Sequence, residues 1–200
     1  MRDAFNIVIS GVGGQGILKL SKIIGESALF EGKNVVMSEV HGMAQRGGVV
    51  ISEMRIGDVN SPLVEEGDAD LIIALEPSEA FRVIGKAGGK TWFVINTEKV
   101  VPFTVSLGIS SYPDVDKLIE NIKKVSKNVV VFNGVELSKK AGSLISLNMV
   151  MLGAVSTLPN FPLKEDTLVK VMEESFKGDA LKVNKLAFNF GKEEAKQRGG

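Results

Sequence analysis

The sequence predicts an α/β fold: a three-layer, Rossmann-like domain with a mostly parallel sheet and a helical C-terminal extension. Three observations predict it. Apolar runs of strand length alternate with helical patterns through the first two thirds of the chain, and a glycine turn, Gly11-Val-Gly-Gly-Gln-Gly16, joins the first run to the first helix. From residue 142 onward the patterns are helical.

Phe5-Asn-Ile-Val-Ile9 is the first strand. After the turn, Ile17, Leu18, Leu20, Ile23, Ile24, Ala28 and Leu29 recur at helical spacing while Lys19, Lys22 and Glu26 take other faces, so a helix runs to about Gly32. Asn34-Val-Val-Met37 follows as a short buried strand, which makes residues 5–37 one βαβ unit with a right-handed crossover. Residues 49–56 are β-rich and end in a turn at 57–62. Leu71-Ile-Ile-Ala-Leu75 is a continuous apolar strand, and Pro77 suits the first turn of a helix that Gly88 and Gly89 stop. Thr91–Ile95 is the next strand, with Asn96 at the carboxyl end where open α/β sheets bind ligands. A helix over 113–127 carries acidic groups first and lysines last, as the helix dipole prefers, and Val129–Phe132 is a further strand. Ser143 to Leu158 reads as an apolar helix containing Asn148, whose amide is expected to bond backbone of the sheet or of a partner chain in a structural role. Two amphipathic helices follow, and the charged tail from Lys192 is expected to fray. One domain over residues 1–200, with 142–200 as its helical extension, is the economical organisation.

Lys plus Arg equals Asp plus Glu at 24 each, so the charge indicates neither a nucleic-acid partner nor an anionic membrane. With no cysteine the chain has no thiolate for an iron–sulfur cluster, and one histidine does not make a multi-histidine zinc site; no metal site is expected. The opening residues run straight into a strand and no long uncharged apolar stretch appears, so the expectation is a cytoplasmic protein with no membrane segment.

Two stretches carry the chemistry. Gly11, Gly13, Gly14 and Gly16 permit close backbone approach, and helix N–H groups behind them point at an anion. Their first reading is a dinucleotide turn with Glu39 taking ribose hydroxyls. The same glycines also fit a tight turn that holds no ligand. The second stretch, Ser38-Glu-Val-His-Gly-Met-Ala-Gln-Arg-Gly-Gly48, is expected beside the first and occupies ground an adenosine would need. It supplies His41, Gly42, Gln45, Arg46, Gly47 and Gly48. Arg46 suits bidentate contact with a carboxylate or phosphate, or an ion pair with Glu39 or Glu53. Histidine is a residue type suited to proton exchange, but His41 has no nucleophile motif around it, so a structural or interface role is favoured and no catalytic residue is assigned.

At these residues, and in Asp70–Leu75, Asn148–Ala154 and Asn184-Lys-Leu-Ala187, the sequence resembles the γ-type subunit or domain of 2-oxoacid:ferredoxin oxidoreductases over nearly its whole length. The run Ser38 to Gly48 is most similar to the β subunit of the indolepyruvate branch. The resemblance implies a subunit of a heteromer that oxidatively decarboxylates an aryl 2-oxoacid, passes electrons to ferredoxin and delivers the acyl group to coenzyme A. It places thiamine diphosphate and the iron–sulfur clusters on a large α subunit and leaves this chain with no cofactor of its own. Backbone N–H groups of Gly13 to Gly16, with Gln15, His41, Gln45 and Arg46, are expected to face the partner's cofactor, the substrate carboxylate or coenzyme A phosphates. Open alternatives are the γ subunit of a pyruvate, 2-oxoglutarate or 2-oxoisovalerate enzyme, a subunit that only stabilises assembly, and a free-standing dinucleotide-binding oxidoreductase.

Overall fold

The computed structural model describes residues 4–42 and 47–199. Its order is β1 (Ala4–Val12), α1 (Ile17–Phe30), β2 (Val35–His41), β3 (Val49–Gly57), β4 (Ala69–Ala74), α2 (Pro77–Arg82), β5 (Ala87–Asn96), α3 (Phe103–Ser106), α4 (Val115–Val125), β6 (Val129–Phe132), α5 (Gly134–Ala141), α6 (Leu147–Val155), α7 (Glu165–Ser175) and α8 (Gly178–Gln197). The six strands form one sheet in the order β2-β3-β1-β4-β5-β6. β1, β4, β5 and β6 are parallel neighbours, whereas β3 is antiparallel to both β1 and β2.

Strand alternation divides the core. Ile7, Ile9, Leu71, Ile73 and Val94 pack with α1 and α6 on one face, and Val8, Ile72, Phe93 and Ile95 pack with α2 and α4 residues on the other. These side chains are fully buried, each contributing on the order of 1.5–3 kcal/mol of transfer free energy as an upper bound. Because the central strands are covered on both faces, they read as continuous apolar runs.

α8 lies outside α6 and crosses it at two glycines. A Cβ on Gly153 would stand 1.9 Å from the Phe188 carbonyl oxygen, and one on Gly191 would stand 1.8 Å from that of Val150. The two backbones therefore touch, and only glycine fits at either point.

Several expectations change. β1 and β2 are parallel, but the β3 strand separates them, and β2 is an exposed edge strand instead of a short buried one. Gly88 and Gly89 do not stop a helix: α2 ends at Arg82, and both glycines lie in β5, where a Cβ on Gly88 would stand 2.5 Å from the Gly67 carbonyl oxygen. The helical region begins at α5, before residue 142, and the 143–158 stretch splits into a 3-10 turn (Leu144–Ser146) and α6. The charged tail stays helical through Gln197 because Ala195 is fully buried and Lys192 reaches Glu165 at 2.5 Å.

Candidate functional site

The glycine turn lies where β1 ends and α1 begins, at the carboxyl end of the parallel strands. Gly14 has φ 105° and Gly16 has φ 81°, both in the left-handed region that L side chains avoid. Gly16 is the N-cap of α1, and no side chain caps that helix. The first-turn amides of Ile17, Leu18 and Lys19 therefore receive no side-chain cap. Two turn amides are already used: Gly13 N–H donates to the Gly48 carbonyl at 2.8 Å, and Gln15 N–H donates to Val12 at 3.1 Å. Among the described residues, the N–H groups of Gly14 and Gly16 have no acceptor.

Two side-chain amides brace this turn. Gln15 Oε1 accepts from Val12 N–H at 2.8 Å, and its Nε2 donates to the Leu75 carbonyl at 2.8 Å, tying the turn to the end of β4. Asn96 donates to the same Leu75 carbonyl at 2.8 Å and accepts from Gly134 N–H at 2.9 Å, which extends the brace through β5 to the start of α5. On the other side, Asn148 Nδ2 donates to the Gly16 carbonyl at 3.1 Å, and a Cβ on Gly16 would stand 2.4 Å from that nitrogen. Asn148 Oδ1 is buried with no partner among the described residues.

Glu76, fully buried just after β4, is the second anchor at this end. Its Oε2 accepts from Ser78 N–H at 2.7 Å and Glu79 N–H at 3.1 Å, capping α2. Its Oε1 accepts from Val100 N–H at 3.3 Å and from the Tyr112 hydroxyl, holding both ends of the 100–112 segment. Burial, and then the bond to Glu76, push the Tyr112 hydroxyl above its ordinary pKa. The segment so held exposes Val101, Phe103, Leu107 and Ile109.

The turn is flanked by shallow depressions. One of about 420 Å³ lies between Gly16, Lys19, Ile145, Asn148, Phe176 and Asn184. A second of about 340 Å³ is lined by Gly13, Gly14, Leu18, Lys19 and His41, and a third of about 280 Å³ by Gly14, Gln15, Leu144 and Ile145. Gly16 lines the first and second of them and Gly14 the second and third. Their rim is apolar, with Leu144 and Ile145 exposed.

The two predicted stretches thus meet, joined through β3: Gly11 and Val12 pair with Val50 and Val49, and Gly13 bonds Gly48. Gly11 lies under the turn, where a Cβ would stand 2.8 Å from Gln15 Oε1. His41 borders the depression beside Gly14, and Glu39 lies two residues back on the exposed edge strand. Gly42 donates its N–H to Val49 at 2.8 Å, and Gly47 is exposed with φ 75°. Gln45 and Arg46 lie outside the described residues, as does Met43. Both ends of the Gln15 amide are engaged within the chain, so that side chain positions the turn.

Lys19 was missed by sequence reasoning. It borders two of the depressions, with its ammonium 4.8 Å from the centre of the Phe176 ring. Its signal was available: a lysine in the first turn of a helix with no acidic residue there opposes the helix dipole, and an anion would offset that cost.

On this α/β fold an uncapped helix start lies behind the glycine turn, with a lysine in its first turn and an apolar rim around it. Residues 6–194 match the model of the pyruvate ferredoxin/flavodoxin oxidoreductase family, and the chain belongs to that family. It is 43% identical over 187 residues to the indolepyruvate oxidoreductase subunit IorB of Methanothermobacter thermautotrophicus, covering 94% of this chain and 95% of the relative. It is 30% identical over 194 residues to the 2-oxoglutarate synthase subunit KorC of Methanocaldococcus jannaschii, covering 96% and 94%. The keto/oxoacid ferredoxin oxidoreductase gamma subunit of Geobacter sulfurreducens superposes with a TM-score of 0.69 at 25% identity, covering 96% of this chain and 99% of that one. Among the described residues there is no group of three potential metal-ligating side chains, and no helix is long and apolar enough to cross a membrane.

Proposed function

We propose that this chain is the cluster-free subunit of a cytoplasmic, ferredoxin-dependent oxidoreductase for aryl 2-oxoacids, indolepyruvate foremost, and that its glycine-turn end completes the partner subunit's site. The observation that carries the site reading is the pair of unpartnered N–H groups at Gly14 and Gly16 ahead of an uncapped helix with Lys19 in its first turn. The substrate branch is supported by the difference between 43% identity to the indolepyruvate relative and 30% to the 2-oxoglutarate one.

In the assembled enzyme a large α subunit holds thiamine diphosphate and the iron–sulfur clusters; this chain has no cysteine thiolate to bind a cluster. Thiamine diphosphate supplies carbanion stabilisation and the clusters take electrons singly toward ferredoxin. This chain's residues bind and orient. The amides of Gly14, Gly16 and the first turn of α1, with Lys19 and Arg46, attract a phosphate of coenzyme A or the substrate carboxylate. Gln15, Asn96 and Asn148 keep the turn in place. The apolar rim excludes water where it meets the partner.

The test of the branch is kcat/KM of the assembled enzyme for indolepyruvate, pyruvate and 2-oxoglutarate, each with coenzyme A and ferredoxin. Preference for indolepyruvate is expected. Preference for either aliphatic acid would overturn the branch while leaving the subunit role intact.

A further inference from the structure

We infer that the outer edge of β2 pairs with the same edge of a second copy of this chain, joining the two sheets antiparallel about Ser38. The inference rests on backbone register and requires no assignment of activity. Gly42 N–H bonds the Val49 carbonyl and Gly57 N–H bonds the Asn34 carbonyl, so the even-numbered residues of β2 face β3. By antiparallel alternation, the N–H and C=O groups of Val35, Met37, Glu39 and His41 then point away from the sheet.

Sheet edges are normally blunted by lysine, proline, a bulge or shortness. Residues 35–41 contain neither lysine nor proline and pair with β3 in unbroken register, whereas the opposite edge, β6, spans only four residues. Met37 and Val40 are 42% and 61% exposed on this edge. An open, regular, largely apolar strand is a template for another strand.

A register centred on Ser38 accommodates a second copy without opposing like charges. Centred on Ser38, Val36 lies opposite the copy's Val40 and Ser38 opposite its counterpart on one face. On the other face Met37 lies opposite Glu39, and Val35 opposite His41. Every outward N–H and C=O finds a partner, and no like charges meet. Centring instead on Glu39 sets two carboxylates against each other, and centring on Met37 brings His41 opposite Lys33, beyond the strand. The sequence of this edge can therefore pair with itself in that register without like charges meeting.

The test uses the full chain alone, with mass by light scattering and hydrogen exchange by mass spectrometry. Met37→Pro removes an outward N–H and no bond to β3; Val40→Lys places a charge opposite the copy's Val36 at an exposed position. The wild type is expected to have the mass of two chains with the Met37 and Glu39 amides protected. Each variant is expected to fall to one chain and lose that protection with unchanged far-UV circular dichroism. If Met37→Pro does not fold, Val40→Lys carries the test. A one-chain wild type, a two-chain mass retained by Val40→Lys, or protection that appears only on adding the large subunit would overturn the proposal.

Discussion

Asn148 donates its side-chain amide to the carbonyl of Gly16 at 3.1 Å, which ties the start of α6 to the residue that caps α1. The contact leaves no room for a side chain at position 16, since a Cβ would meet Asn148 Nδ2 at 2.4 Å. Gly16 also needs its left-handed backbone. Gly16→Ala is therefore expected to lose about 2–4 kcal/mol, combining left-handed strain with overpacking. Asn148→Ala alone should cost about 1 kcal/mol, because it removes one bond and also an unsatisfied buried oxygen. The double variant should recover part of the Gly16→Ala loss; urea denaturation of all four proteins reads the coupling, and strict additivity would contradict it.

Gln15 predicts a second loss. In Gln15→Leu, the Val12 amide loses its acceptor and the Leu75 carbonyl loses one of its two donors. A loss of about 2–3 kcal/mol is expected in denaturant titration. Stability within about 0.5 kcal/mol of wild type would show that the brace is dispensable.

At the helix crossing, Gly153→Ala and Gly191→Ala each push a methyl into a carbonyl oxygen of the facing helix. Each should cost at least about 3 kcal/mol, at the upper end for overpacking, and lower Tm sharply in a thermal scan. A Tm unchanged in either variant would contradict the close crossing.

Glu31 gives the pH dependence. It follows α1, accepts from Lys33 at 2.7 Å and from Lys164 N–H at 2.7 Å, and so fastens the start of α7. Burial works to raise its pKa, but the bonds from Lys33, the Lys164 amide and Thr167 outweigh it and hold the carboxyl below its ordinary value of 4.5. A carboxyl depressed in the folded state stabilises above the unfolded pKa, and that stabilisation is lost as pH falls through the folded value. Stability should thus decline below about pH 4.5 more steeply in wild type than in Glu31→Gln, measured by urea midpoints across the acid range. Parallel profiles would remove Glu31 from the acid limb.

Lys19 tests the site. In the assembled enzyme, Lys19→Gln should raise KM for its anionic ligand, coenzyme A or the 2-oxoacid, by about tenfold to a hundredfold at near-normal stability, as expected for a lost charge-assisted bond. Unchanged KM for both would remove Lys19 from the site.

The sequence made the strands legible because β1, β4 and β5 contain buried apolar runs and all four residues of β6 are apolar. It did not reveal β3 between β1 and β2, since either pairing satisfies the same apolar pattern and the sequence of residues 42–48 carries no two-residue hairpin signal. α5 had a readable start, Asn133 capping Glu136 N–H, but its eight residues are too short for periodicity to stand out. The glycine turn was legible from spacing. The task of Gln15 was not, because its partner Leu75 is 60 residues away.

The most direct test of the subunit account is ferredoxin reduction by the large subunit with indolepyruvate and coenzyme A, measured with and without this chain. Turnover that depends on adding this chain, and that falls further with Gly14→Asp than with Gly14→Ala, is the expected result: both strain the φ 105° backbone, but only aspartate sets a negative charge before the free amides. Full turnover by the large subunit alone, or binding of a dinucleotide by this chain in isolation, would contradict the account.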